Sequence, residues 1–253
     1  MLVAIDENGN QAMAWKVSRG EEYFCPECRS NLVLRKGEIK VHHFAHKVSD
    51  ACDYGAGESE DHRRAKFGLY ESLQRDPQIA YVGLEERIGQ HQRADVFFVT
   101  RSGEPVAIEM QRSNLSVPEI QRRTLGYTGI GVATLWVALG LKPKVNEEFR
   151  VREWQVWMHA MWQGRVFTHI QAQHFAAWKF DKVVRAGGEY YIPGGEGEMD
   201  YASDRTLRRT KTLRSLGNFD LVSDFEERIK WEWKQFPRAL IWDVKPSLLR
   251  RTK

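Results

Sequence analysis

Two sets of residues in this chain have the types and spacing for chemistry. Cys25 and Cys28 stand with two residues between them, and fourteen residues later His43 and His46 repeat that gap with imidazoles. Two thiolates and two imidazoles are borderline-soft donors that suit a tetrahedral zinc ion, closed on all sides and therefore structural. His42 and Cys52 lie near enough along the chain to replace one of the four. The second set is acidic: Asp95 within Arg93-Ala94-Asp95-Val96 and Glu109 within Ile108-Glu109-Met110-Gln111. A polar turn containing Gly103 joins two short apolar strands there, and a hairpin centred near Ser102 sets Asp95 opposite Glu109. The pair is either a solvated edge or a ledge of hard oxygen donors for a divalent cation.

Local patterns say which elements must position these residues. From Met1 to Val17 apolar and polar residues alternate around Glu7-Asn8-Gly9-Asn10, a small hairpin, and short strands follow over Asn31–Arg35 and Ile39–Val41. The cysteines and histidines straddle this β module. Glu58 opens a helical pattern that runs to about Arg75, with Ala65, Leu69 and Leu73 as its apolar stripe. Glu58 and His62 fall on the same stripe, with Lys66 at its border. A buried face that turns polar at its N-terminal end either looks into a site or projects its first turn beyond the core. Ile79–Ile88 reads as a strand leading through Gly89 into the hairpin. In the second hairpin strand Glu109 and Gln111 share one face, and Val106, Ile108 and Met110 the other. Ser116-Val117-Pro118-Glu119 is a capping box with proline in the first turn, which predicts a helix to about Thr128. On it Arg123 and Tyr127 share a face, suited to a phosphate contact or to an ion pair beside a core tyrosine. Val132–Leu139 is a continuous apolar run, a central strand buried on both sides.

The order is helix, strand, strand, strand, helix, strand, and it carries Glu58-Ser59-x-x-His62-x-x-x-Lys66, Arg93-Ala94-Asp95-Val96, Ile108-Glu109-Met110-Gln111-x-Ser113 and Arg123-Thr124-x-x-Tyr127. With Cys25-Pro26-x-Cys28 and His43-Phe44-Ala45-His46 ahead of it, the chain over about residues 1–140 resembles the competence protein CoiA-like family. Members of that family join a small Cys/His module to an α/β core similar to the PD-(D/E)XK, restriction-endonuclease-like fold. The resemblance implies metal-dependent cleavage of DNA phosphodiesters, with Mg²⁺ or Mn²⁺ held by Asp95 and Glu109 to activate a water. Glu58 would complete the acidic set or orient that water. Arg93, Ser113, Arg123 and Tyr127 would meet nucleic acid. Gln111 stands where the generic nuclease pattern has lysine, although the CoiA-like pattern also has glutamine; Lys66 is then the candidate for a migrated lysine, with Arg93 as the other cation. The resemblance also implies recombination or DNA-processing partners. The alternative is a non-catalytic, nucleic-acid-binding accessory protein that keeps the fold.

Residues 1–55 are thus expected to form the zinc-binding β module, 56–142 the nuclease-like core, and 143–253 a mostly helical, aromatic-rich extension. Trp154, Trp157, Trp162 and Trp178 give the extension too much apolar bulk for a disordered tail. Gly187 to Met199 reads as a linker or turn. Arg205, Arg208, Arg209, Lys211 and Arg214 make a basic run, either a solvated face or a track for a phosphate backbone, with Arg208, Arg209 and Lys211 as its nucleic-acid candidates. Phe225, Ile229 and Trp233 have helical spacing and predict a terminal helix. A net charge of +4 permits nucleic-acid binding without demanding it. There is no basic start followed by an apolar run, and Ile130–Leu141 is too short for a membrane span, so a cytoplasmic protein is expected. Three cysteines in that compartment do not make a disulfide scaffold.

Overall fold

The structure is a computed structural model. It describes every residue except 48–51, 53, 56, 91, 113, 142, 143, 145, 146, 192–198, 235 and 250–253. The first element group is a small antiparallel sheet: β1 (Val3–Ile5), β2 (Gln11–Met13), β3 (Tyr23–Phe24), β4 (Asn31–Arg35) and β5 (His43–His46), in spatial order β2-β1-β3-β4-β5. Tyr23, Leu32, Leu34 and Phe44 form a small core of their own, so the module has more than its Cys/His residues to hold it.

Next come α1 (Glu60–Arg75), β6 (Ile79–Ile88), β7 (Gln92–Thr100), β8 (Pro105–Gln111), α2 (Val117–Gly129) and β9 (Ala133–Ala138), in the expected element order. Ser59 caps α1 by accepting from the His62 N–H, which leaves Glu58 just ahead of the helix; Ala65, Leu69 and Leu73 are buried. The β6-β7-β8 strands pair antiparallel, and Val96↔Ile108 is the register that a hairpin centred at Ser102 requires. Ser116 caps α2, and this helix carries the chain over to β9, which pairs parallel to β8. All six residues of β9 are buried, because the strand lies mid-sheet.

The remaining elements are β10 (Phe149–Arg150), α3 (Glu153–Met161), β11 (Val166–Gln171), β12 (His174–Arg185), β13 (Gly188–Tyr191), β14 (Met199–Ala202), β15 (Arg205–Asp220), β16 (Phe225–Lys230), β17 (Ala239–Val244) and α4 (Pro246–Leu249). This region is largely strand, which corrects the expected helical extension. The main sheet runs β10-β15-β12-β11-β9-β8-β7-β6, and β17 pairs with both β16 and β9. The Phe225, Ile229 and Trp233 stripe is not one face: Phe225 is buried while Trp233 is 62% exposed. Backbone pairing from Phe225↔Val244 to Lys230↔Ala239, anchored on β9, overrides the local helical period. Trp154, Trp157 and Trp162 are buried core residues. The Gly187–Met199 stretch contributes β13, which pairs with β14; residues 192–198, Pro193-Gly194-Gly195 among them, lie outside the described residues.

Candidate active site and metal centre

The Cys25, Cys28, His46 and Cys52 ligand atoms all lie within 4.8 Å of one another. Cys25 Sγ and Cys52 Sγ are 3.8 Å apart, and Cys28 Sγ is 3.4 Å from His46 Nε2. Three thiols and one imidazole are a donor set that fits structural zinc. Cys52 therefore replaces His43 in the expected set. The reason is strand geometry: His43 and His46 sit three apart in β5, where odd spacing sends side chains to opposite faces. His43 turns away and its Nδ1 lies 2.9 Å from the Val41 carbonyl oxygen. Burial pushes the Cys25 thiol up to about 12, whereas Ser30 Oγ, 2.9 Å from Cys28 Sγ, draws that thiol down to about 6.

The second site is a cavity of about 640 Å³ lined by Glu58, His62, Lys66, Glu85, Asp95 and Gln111, with Arg93, Arg112, Arg123 and Arg152 at its walls. Lys66 is its hub. The buried ammonium is paired with Glu58 and Glu85, and its Nζ is 3.6 Å from Asp95 Oδ1. Burial alone would lower Lys66, but the Glu85, Asp95 and Glu58 carboxylates outweigh it and hold the group well above its ordinary value. Asp95 Oδ2 accepts from the Met110 N–H at 2.8 Å and lies 3.2 Å from His62 Nε2. Burial is again overcome, since His62, Lys66 and that N–H keep Asp95 well below the usual carboxylate range.

Glu85 is a member of the site that sequence reasoning did not single out. It has φ 49°, in the left-handed region, and accepts from the Leu2 N–H at 2.9 Å, the Val3 N–H at 3.1 Å and the Tyr54 hydroxyl at 2.6 Å. The contact joins β6 to the Cys/His module, while Met1 N lies 2.8 Å from Glu58 Oε2. Burial would raise Glu85, but the Lys66 ammonium, the Met1 ammonium and the Tyr54 hydroxyl hold it at about 2. Followed directly by Glu86 and Arg87, Glu85 carries no local signal that sets it apart from a solvated acid.

Glu109 does not line that cavity. Ile108 and Met110 enter the main core, and Glu109 between them turns to α2, where it is 1% exposed and accepts from Arg123 and from the Tyr127 hydroxyl at 2.7 Å. Burial drives its carboxyl up to about 7; Arg123 pulls it down and the Asp95 charge pushes it up again. The predicted register holds up to Val96↔Ile108, the pair next to the two acids, yet Asp95 is engaged by α1 and Glu109 by α2. Among the described residues the Cys/His group is the one set of three or more Cys, His, Asp or Glu ligand atoms within 4.8 Å of one another. The acidic cavity offers oxygen donors of the chemistry a divalent cation takes, arranged around an ammonium.

Arg93 stacks 4.1 Å over the Tyr54 ring and pairs with Glu27. Ser113 lies outside the described residues. Arg209 and Lys211 sit on β15 beside β10, with Arg209 paired to Glu153 and the Lys211 ammonium donating to the Leu207 carbonyl; Arg208 is exposed on the same strand.

Comparison with known proteins gives a consistent result. Residues 58–187 match the family model for the nuclease-like domain of competence protein CoiA, and residues 6–55 match that for its N-terminal domain. A curated relative, competence protein CoiA of Bacillus subtilis (strain 168), is 32% identical over 117 residues, which covers 46% of this chain and 31% of the relative. The aligned stretch thus spans just under a third of that protein's length. No solved structure matches.

Proposed function

The chain belongs to the competence protein CoiA family, and from that premise we propose that it is a metal-dependent nuclease of the PD-(D/E)XK kind that cleaves DNA. The observation that carries the reading is the cavity in which Asp95, Glu58 and Glu85 surround Lys66. Hydrolysis adds one water across one P–O bond, and its transition state spreads negative charge over the phosphoryl oxygens. Asp95, aimed by His62 and the Met110 N–H, and Glu109 would hold Mg²⁺ or Mn²⁺. Such an ion, when bound, supplies Lewis acidity to a phosphate oxygen and lowers the pKa of a water. Arg123 lines the cavity while paired to Glu109, so a substrate phosphate competes with Glu109 for the guanidinium and frees the carboxylate. Lys66 supplies the positive charge that Gln111 lacks, and Glu58 orients the attacking water.

In this reading residues 1–55 are a zinc module whose ion is held by Cys25, Cys28, His46 and Cys52. We count residues 56–142 as the nuclease-like core, and residues 143–253 extend its sheet through the strands that pair with β9. We place the protein in the cytoplasm among recombination or DNA-processing partners; among the described residues no helix is long and apolar enough to cross a membrane. The test is a panel of single-stranded, duplex and branched DNA with Mg²⁺ or Mn²⁺. Cleavage that is lost in Asp95→Ala is expected, and equal cleavage by Asp95→Ala contradicts the proposal.

A second reading, a non-catalytic nucleic-acid-binding accessory protein, is favoured by one observation: Lys66 and Arg123 already neutralise the acids. It requires salt-sensitive DNA binding that survives Glu109→Ala, with no cleavage under any metal.

A further inference from the structure

Three cavities meet at one side chain outside the acidic set. Arg152 lines the acidic cavity, a neighbour of about 520 Å³, and a third of about 700 Å³ beside the start of α2. Arg150 lines the second and third of these. Both arginines are exposed, and among the described residues neither has a carboxylate within 4 Å, whereas most other cations around these cavities are paired. They lie on the short stretch between β10 and α3, which β15 holds in place through Arg150↔Thr210 and the Val151 N–H to the Arg209 carbonyl. An unpaired guanidinium pair beside an anion-processing site is a ready phosphate clamp.

The charge pattern gives the clamp a direction. The second cavity sets three acids, Glu147, Glu148 and Asp61, each paired with a cation, against Arg112, Lys144, Arg150 and Arg152, so its lining has little net positive charge to offer a polyanion. The third sets one acid, Glu153, held by Arg209, against Arg150, Arg152 and Arg209, and its wall includes the apolar side chains Leu115, Val117 and Pro118, with Asn114 and Ser116 among them. Arginines and apolar side chains lining one cavity suit a single polynucleotide strand, whose phosphates take the cations while unstacked bases lie on the apolar side chains. A duplex has its base faces covered and cannot use that wall.

We infer that Arg150 and Arg152, with Arg209 beyond them, form a binding track for one polynucleotide strand, leading from the acidic cavity past the start of α2. The track rests on the reading of that cavity as a nucleic-acid site, but it is a property of binding and not of cleavage. The test is therefore fluorescence anisotropy of the full chain, in EDTA, with a labelled single-stranded 20-mer and its duplex. Arg150→Ala/Arg152→Ala is expected to weaken single-strand binding about tenfold and to flatten the log K against log salt slope by about 1.4. Arg150→Lys/Arg152→Lys keeps most of the slope. Arg75→Ala/Arg101→Ala, which removes the same charge at the far end of the β7–β8 hairpin, leaves the affinity unchanged. An unchanged affinity and slope in the first variant, or tighter binding of the duplex by the wild type, overturns the track. Photo-crosslinking of bromodeoxyuridine DNA to the wild type keeps the question open to refutation if the alanine variant does not fold: adducts are expected within 114–118 or 149–154, and adducts only elsewhere contradict it. Loss of cleavage in Asp95→Ala with single-strand binding intact upholds both ideas, whereas binding without any cleavage removes only the nuclease reading.

Discussion

The Cys/His cluster and the acidic cavity both collect metal-type ligands, but in opposite electrostatic states. In the first, three sulfurs and a nitrogen lie within 4.8 Å of one another, and among the described residues no lysine or arginine pairs with them. In the second, Lys66 is the partner of Glu58, Glu85 and Asp95, and Glu109, just outside the cavity, is paired with Arg123. The buried Cys25 thiol can stay neutral until a metal arrives, and Cys28, drawn down to about 6, has the Ser30 hydroxyl beside it, so the cluster needs no internal cation. Carboxylates buried at neutral pH cannot wait in that way, and the fold supplies cations to hold them. One site is built to be closed by an ion. The other stands without one, and in the function proposed for it the cations give way to substrate and metal.

The contrast is broken or sharpened by variants on each side. The largest effect belongs to the thiol cluster, where metal binding is worth on the order of 10 kcal/mol in comparable small modules. Cys52→Ser should take bound zinc from about one per chain to near zero and open residues 1–55 to proteolysis, while His43→Ala keeps the ion; elemental analysis reads both. If His43→Ala loses zinc and Cys52→Ser does not, the ligand assignment is wrong.

Next is Lys66→Met, which leaves three carboxylates around a missing charge and should cost about 3–5 kcal/mol by urea denaturation. Added Mg²⁺ should recover more stability in this variant than in the wild type, because the ion then has no ammonium to displace. A variant as stable as the wild type would mean that Lys66 is not the counter-charge.

The pH dependence of stability comes third. Glu85 is held at about 2 in the fold against an ordinary 4.5. Its contribution is therefore complete above about pH 4.5 and is lost as pH falls from there through 2, by on the order of 3 kcal/mol. Glu85→Gln should flatten that limb of the stability curve. Smallest is Tyr127→Phe, which removes one hydrogen bond to Glu109 and should cost about 1–3 kcal/mol, measured by thermal melting.

Much of this could be read from the chain alone, and the reasons are local. The turn around Ser102 sets the register of β7 and β8, so Asp95 opposite Glu109 follows from counting residues. Ser59 and Ser116 mark their helices because a hydroxyl one residue ahead of a helix meets its free N–H groups. Lys66 was legible as a border residue of α1. Glu85 was not, because its role depends on Leu2, Val3 and Tyr54, which approach from more than thirty residues away.

The strands of the C-terminal region were hidden for a related reason. A spacing such as Phe225, Ile229 and Trp233 fits a helix locally, and only the partner strands β17 and β9 make it extended. Residue types and short spacings determined the Cys/His module, the two hairpin acids, the capped helices and the family. Tertiary structure alone decided that Cys52 and not His43 completes the thiol cluster, that Asp95 and Glu109 answer to different helices, and that Arg150 and Arg152 stand beside the acids. Chemistry of a side chain is carried in its letter, but its neighbours across the sheet are set by long-range pairing that no local pattern encodes.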